Sequence, residues 1–176
     1  MQITNFQDYA FIGLGSNLGS ALGSPRDIVL EASRRIEKLS DERLLMSGLH
    51  LTAPLDCPPG SPDFINAVLA LLPRQQDTPY SLLESLQRIE SSLGRVRSGI
   101  VNEARVIDLD LLLFRDEQID SEDLSLPHPA MLDRDFVLNP LRELLESSEL
   151  SNLVAFAKKT PPGDGVKQGT SFPGSL

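Results

Sequence analysis

The run Val106-Ile-Asp-Leu-Asp-Leu-Leu-Leu-Phe is the strongest strand pattern in the chain, and it carries two carboxylates inside an otherwise apolar stretch. Successive strand residues point to opposite faces. Ile107, Leu109, Leu111 and Leu113 therefore share one side, and Asp108 and Asp110 lie on the other, flanked there by Val106, Leu112 and Phe114. Two carboxylates about 7 Å apart on a partly buried face repel each other and lose solvation. A divalent cation removes both costs, and Mg²⁺ favours carboxylate oxygens. The alternative is a solvated sheet edge bearing two acids, and the flanking apolar residues weigh against it.

The segments before this strand alternate between strand and helix patterns. Tyr9-Ala-Phe-Ile-Gly-Leu-Gly reads as a buried strand ending in the turn-forming cluster Gly15-Ser-Asn-Leu-Gly-Ser. Ser24-Pro-Arg-Asp announces a helix, with Ile28, Val29, Ala32, Ile36 and Leu39 on its apolar face. A second strand is predicted over 44–51. Thr52 to Asp63 holds four prolines and a glycine in a dozen residues, which excludes helix and central strand and leaves a long, functional loop. Phe64 to Leu72 is the third strand. Thr78-Pro79 then repeats the cap signal before Leu82, Leu83, Leu86, Ile89 and Leu93, with Gly94 placed to end that helix.

After the acidic strand, Arg115-Asp-Glu predicts a turn, Leu126-Pro-His-Pro an extended segment, and Phe136 to Leu145 a short helix; Leu153 to Ala157 extends the helical part. The β-α-β-β-α-β order predicts an α+β fold, a ferredoxin-like αβα sandwich with a mainly antiparallel central sheet. One domain is expected over residues 1–160, with 161–176 as a loose C-terminal tail.

Composition narrows the function classes. A net charge of −9 argues against an extended nucleic-acid surface. The N-terminal residues lack a secretory signal, and no apolar run approaches the roughly 20 residues needed to cross a bilayer. The expectation is a cytoplasmic protein, a monomer with neither nucleic acid nor membrane as partner. The one cysteine, Cys57, reads as a bystander, because a catalytic thiol wants a histidine and only His50 and His128 exist.

Arg95, Arg97 and Arg105 fall close together before the acidic strand, with Arg134 further on. Cations beside metal-binding acids suit a polyphosphate, in which Mg²⁺ bridges some oxygens and guanidinium forks bind others. The same arginines could instead pair with Glu90, Glu103 and the aspartates. Taken alone, His128 between two prolines is a turn histidine, and Phe64 and Phe136 are core residues. Phe64 beside the proline-rich loop could also stack on a flat ligand whose edge Asn66 would hydrogen-bond. The glycines near residue 15 do not match a dinucleotide fingerprint, and no P-loop is present.

In order, Phe11-Ile-Gly-Leu-Gly-Ser-Asn-Leu-Gly, Thr52-Ala-Pro-Leu, Pro62-Asp-Phe-Ile-Asn-Ala-Val, Gln87-Arg-Ile-Glu, Gly94-Arg-Val-Arg, Arg105-Val-Ile-Asp-Leu-Asp-Leu-Leu-Leu-Phe, Leu126-Pro-His-Pro and Arg134-Asp-Phe-Val-Leu-Asn-Pro-Leu resemble the 6-hydroxymethyl-7,8-dihydropterin pyrophosphokinase family. The resemblance spans about residues 9 to 145. It implies attack by the pterin hydroxymethyl oxygen on the β-phosphorus of ATP, with AMP leaving, in folate biosynthesis. It implies that Asp108 and Asp110 ligate two Mg²⁺ ions, and that Arg95, Arg97, Arg105 and Arg134 neutralise the triphosphate. Gln87, Glu90, Leu111, Ser125 and His128 match positions that hold ATP. Phe64 and Phe136 match a pterin sandwich, Asn66 its edge contact, and Thr52 and Leu55 its backbone contacts.

Three positions depart from the family pattern. A common Trp-Gly-Pro-Arg reads Asn102-Glu-Ala-Arg here, without the aromatic that closes over the pterin. A usual Gln-Pro reads Ser61-Pro62, and an arginine common near Leu-Pro-His is Asp123. Two other classes remain from the residues alone: a regulatory pterin- or nucleotide-binding module, and a metal-dependent nucleotide hydrolase.

Overall fold

A computed structural model of the chain describes residues 8–96 and 102–147. Among them the elements run β1 (Ala10–Ser16), α1 (Pro25–Glu37), β2 (Leu45–Met46), β3 (His50–Thr52), β4 (Phe64–Leu71), α2 (Pro79–Ser92), β5 (Asp108–Phe114), β6 (Ile119–Asp120), β7 (Ser125–Leu126) and α3 (Asp135–Ser147). Three features expected from sequence lie outside the described residues: Arg97, the helical extension at 153–157 and the tail at 161–176.

Strand β1 has an apolar residue at nearly every position because it is covered on both faces and paired on both edges. Ala10, Ile12 and Leu14 pack with α1 and α2, while Phe11 packs beneath α3. The sheet order is β2/β3–β4–β1–β5, and every neighbouring pair is antiparallel. With β2 and β3 counted as one interrupted strand, this is the ferredoxin-like α+β arrangement that the element order predicted.

Local chemistry starts the first two helices where expected. The Ser24 hydroxyl accepts from Asp27 N, and the Asp27 carboxylate accepts from Ser24 N at 2.9 Å, a reciprocal cap. These hydrogen bonds hold the Asp27 carboxyl below the usual carboxylate range. Thr78 and Ser81 exchange the same pair of bonds ahead of α2, and Pro25 and Pro79 occupy first turns whose N–H groups need no partner. Gly94 takes φ +96°, a conformation that side chains resist, and ends α2. Helix α3 docks on the opposite face through Val137, Leu141, Leu144 and Leu145 against Phe11, Val68, Leu112 and Leu113. Each large side chain buried there contributes about 1.5–3 kcal/mol, and this cluster is what holds α3 to the sheet.

Two strand expectations need correction. The predicted strand over 44–51 is split, because at Ser47 the edge turns away. Its N–H donates to Val68 O, its hydroxyl accepts from Val68 N, and the next N–H, of Gly48, donates to Glu143 on α3. His50 and Gly48 both hold Glu143, and these bonds keep its carboxyl below the usual range. The second correction concerns β5, whose alternation breaks at its end. Ile12 pairs with Leu111 and Phe11 with Leu113, so Leu112 is an extra residue, a bulge. Leu112 and Leu113 therefore both join the α3 side, and Phe114 returns to the α1/α2 side. Leu113 and Phe114 thus lie on faces opposite to those the simple alternation predicted.

Candidate active site

The α3 face of β1 carries no side chain at Gly13 or Gly15, and that gap is the floor of a cleft. Register sets what borders it. Gly15 pairs with Asn66 on β4 and with Asp108 on β5, while Gly13 pairs with Val68 and Asp110. Asn66 and Asp108 thus stand two strand spacings apart, about 10 Å, across a bare glycine backbone. A Cβ at Gly15 would come within 2.9 Å of Asn66 Oδ1, so only glycine lets that amide lie over the strand. Asn66 Nδ2 donates to Thr52 Oγ1 at 2.6 Å, which fixes the amide's direction and ties β4 to the proline-rich loop. With Phe64, Leu55, Phe136 and Arg134 forming its walls, the cleft encloses about 730 Å³, its open mouth included.

The two carboxylates meet different surroundings. Asp108 is held from both sides: Arg95 Nη1 lies 2.6 Å from Oδ1, and Arg105 Nε lies 2.9 Å from Oδ2. The Arg105 contact is an ion pair without hydrogen-bond alignment, so this buried N–H is unused. Among the described residues, none donates a hydrogen bond to the Asp110 carboxylate. Burial, and then the neighbouring Asp108 charge, push Asp110 above the usual carboxylate range, with His128, Arg105 and Arg134 acting in the opposite sense. A buried acid beside a like charge is what a divalent cation relieves, so the donor set fits Mg²⁺. Among the described residues no cluster of three or more metal-ligating side chains forms.

Among the described residues the outer edge of β5 has no partner strand, and its polar groups are taken up by residues expected at the nucleotide. Glu90 accepts from Leu109 N at 2.8 Å, Arg95 donates to Ile107 O at 2.6 Å, and His128 N donates to Leu112 O at 2.9 Å. Glu90 is only 4% exposed and lies 3.5 Å from Arg95. These two residues therefore build the end of the acidic strand and aim Asp108 from behind.

The cleft brings together Thr52, Leu55, Phe64, Asn66, Arg105, Asp108, Asp110, Arg134 and Phe136. Arg95 and Glu90 support it. His128 lies along the β5 edge, its Nδ1 accepting from Ala130 N at 3.3 Å. Gln87, Leu111 and Ser125 do not line the cleft: Gln87 is exposed on α2, Leu111 is buried toward α1 and α2, and Ser125 sits on β7 in the small hairpin with β6. Arg105 and Arg134 each place a guanidinium over a cleft aromatic, 5.2 Å from the Phe64 centroid and 5.6 Å from that of Phe136. Cys57 borders the cleft and donates to Leu55 O, while His50 is engaged with Glu143, so no thiol–imidazole pair forms.

Sequence reasoning assigned no role to Asn17, Gly13, Gly15, Asp56 or Asn102. Asn17 looks like one more polar residue in a turn, and its partners lie 45 and 88 positions away, beyond any local pattern.

Residues 11–146 match the family model described as 7,8-dihydro-6-hydroxymethylpterin-pyrophosphokinase (HPPK). The chain is 39% identical over 144 residues to the 2-amino-4-hydroxy-6-hydroxymethyldihydropteridine pyrophosphokinase of Haemophilus influenzae, covering 81% of this chain and 85% of the relative. It is 41% identical over 131 residues to the Pseudomonas aeruginosa protein of the same name, covering 72% and 76%. It is 31% identical over 152 residues to the folate synthesis bifunctional protein of Arabidopsis thaliana, covering 86% of this chain and 30% of that longer protein.

Proposed function

The chain belongs to the 7,8-dihydro-6-hydroxymethylpterin-pyrophosphokinase family, and from that premise we propose that its cleft holds the pterin between Phe64 and Phe136 and the ATP triphosphate at Asp108 and Asp110. The reaction is transfer of pyrophosphate from ATP to 6-hydroxymethyl-7,8-dihydropterin, with release of AMP, in folate biosynthesis. The observation that carries the division of labour is the row Asn66–Gly15–Asp108. It sets an aromatic-walled amide site and a carboxylate–guanidinium site side by side on one strand floor.

In this reading Asn66 hydrogen-bonds the pterin edge, Thr52 holds that amide, and Leu55 contributes from the loop. The hydroxymethyl oxygen then points toward the acids. A bond forms from that oxygen to the β-phosphorus, its proton passing to solvent, as the bond from phosphorus to the α,β-bridging oxygen breaks, and AMP carries the bridging oxygen away. No covalent nucleophile is needed, so the protein contributes placement and charge. Two Mg²⁺ ions bound at Asp108 and Asp110 would supply neutralisation and polarisation of the phosphate oxygens. Arg105 and Arg134 reach the phosphates from the aromatic walls, Arg97 is assigned to the phosphates by the Gly94-Arg-Val-Arg motif alone, and Arg95 acts at the migrating group and on Asp108. Gln87, Glu90, Leu111, Ser125 and His128 bear on the nucleotide from the β5 edge, Leu111 through its backbone.

On this reading the protein is a monomer that works on two small molecules rather than on nucleic acid. A cytoplasmic location is part of this reading. No helix among the described residues is long and apolar enough to cross a membrane.

Mixing the protein with Mg-ATP and the pterin alcohol is expected to release AMP in step with a pterin diphosphate. Phe64→Ala should weaken pterin binding by about tenfold or more, since a base–aromatic stack of this kind is worth about 1–3 kcal/mol, and leave Mg-ATP affinity within a few-fold. Equal losses for both ligands, measured by titration calorimetry, would remove Phe64 from the pterin site.

A further inference from the structure

Asn17 follows β1 directly and is 3% exposed, yet it takes part in neither the sheet nor a helix cap. Its side chain instead joins two remote segments. Oδ1 accepts from Arg105 N at 2.7 Å, and Nδ2 donates to Pro62 O at 3.1 Å. Arg105 O in turn accepts from the backbone N–H groups of Asn17 and Leu18, both at 3.1 Å. The partners leave no freedom in the amide's orientation, because a proline carbonyl only accepts and a backbone N–H only donates.

Pro62 stands two residues before Phe64, and Arg105 three before Asp108. One buried amide therefore fixes the entry to the pterin wall against the entry to the phosphate arm. A second contact joins the same two segments further out: Asn102 Nδ2 donates to Asp56 O at 2.9 Å. Both residues hold positive φ, 54° and 53°, so neither backbone is in a relaxed strand or helix conformation there. Asn102 occupies the place where the family pattern has an aromatic. In this chain the two segments are linked by two amides, with no ion pair between them among the described residues.

We propose that Asn17 is a positioning residue for the transfer, setting the Arg105 guanidinium and the pterin wall in register, with Asn102 as the outer link. The inference rests on the cleft reading above. It predicts that the two halves of the amide serve two substrates. The Oδ1 half governs Arg105 and hence the chemical step, whereas the Nδ2 half governs Pro62 and hence the pterin wall.

Substitution separates the halves. Asn17→Asp is isosteric, keeps an acceptor for Arg105 N, and places an oxygen against Pro62 O. It is expected to raise the KM for pterin about tenfold with kcat within about threefold of wild type, the loss of a part-buried hydrogen bond and its replacement by an oxygen–oxygen contact being of about that order. Asn17→Ala frees both segments and is expected to lower kcat about 10²-fold, the usual penalty for an ångström of misplacement. Rates are normalised to the folded fraction from thermal melts, and if the alanine variant does not fold, the kcat–KM split of Asn17→Asp carries the test. Loss of kcat and rise of KM in equal measure in Asn17→Asp, or normalised constants within twofold of wild type in either variant, would overturn the proposal. Phe64→Ala, run alongside, separates the two claims: unchanged pterin affinity there would sink the cleft reading, whatever Asn17 does.

Discussion

Asp110→Asn is expected to reduce turnover by about 10³-fold or more and, at the same time, to raise the melting temperature of the metal-free protein at neutral pH. The two effects have one cause. Asp110 is half-buried beside Asp108 and receives no hydrogen bond among the described residues, and desolvation, followed by the Asp108 charge, raises its pKa above the ordinary 3.8. A carboxyl whose folded pKa is raised binds its proton more tightly in the native state than in the unfolded chain. Its contribution to stability is therefore complete below the unfolded pKa and declines as pH rises through the folded one. At neutral pH the native protein carries the cost of an unrelieved charge, and asparagine removes it with almost no change of shape. The same change removes a metal ligand, and metal-derived charge stabilisation is worth several kcal/mol in such a transition state, or about three powers of ten in rate. Melting curves between pH 4 and 8 without Mg²⁺, alongside a turnover assay with Mg-ATP, check both halves. A fully active variant would end the metal assignment, and a lower melting temperature at pH 7 would contradict the electrostatic account.

Arg105→Ala is expected to lower kcat/KM by roughly 10³-fold with little loss of stability, whereas Arg95→Ala is expected to destabilise the fold by about 3–5 kcal/mol. The two arginines share one partner, Asp108, but stand differently. Arg95 is 9% exposed and bonds Ile107 O as well as Asp108, with Glu90 beside it. Removing it strips the strand edge of a donor and leaves buried acids with one cation fewer. Arg105 keeps its place through backbone bonds to Asn17, so its side chain can go without releasing the segment. Its Nε makes an ion pair with Asp108 without a hydrogen bond, so that N–H can still donate to an incoming phosphate. Lysine at 105 should recover only a small part of the rate, because a single ammonium cannot reproduce the planar fork. Similar melting temperatures for the two alanine variants would show that this division is wrong.

The architecture was legible because its determinants are local. Alternation over Val106 to Phe114, 3.6-residue spacing from Ile28 to Ile36 and from Leu82 to Leu93, reciprocal caps at Ser24 and Thr78, and the prolines of the 52–63 loop each act within a few residues. Their order allows few topologies, and the antiparallel ferredoxin-like sheet is the one formed. The paired acids, the arginines around them and the ordered motifs also point to the family without any coordinates.

What tertiary structure alone decided depends on pairing between distant residues. The bulge at Leu112 reverses the faces of Leu113 and Phe114 because β5 is matched to β1, and nothing within β5 marks the extra residue. Gly13 and Gly15 become a cleft floor only through their register with Asn66, Asp108 and Asp110. Glu90 and Arg95, expected at the nucleotide, also bond the outer edge of β5, which no further strand pairs among the described residues. Asn17 joins segments 45 and 88 residues away through one buried amide. Periodicity and capping are written over a few residues of chain, so sequence alone determined the elements and their order. Register and loop-to-loop hydrogen bonds arise only once those elements pack, which is why the folded chain decided which side chains line the cleft and which brace the strand behind it.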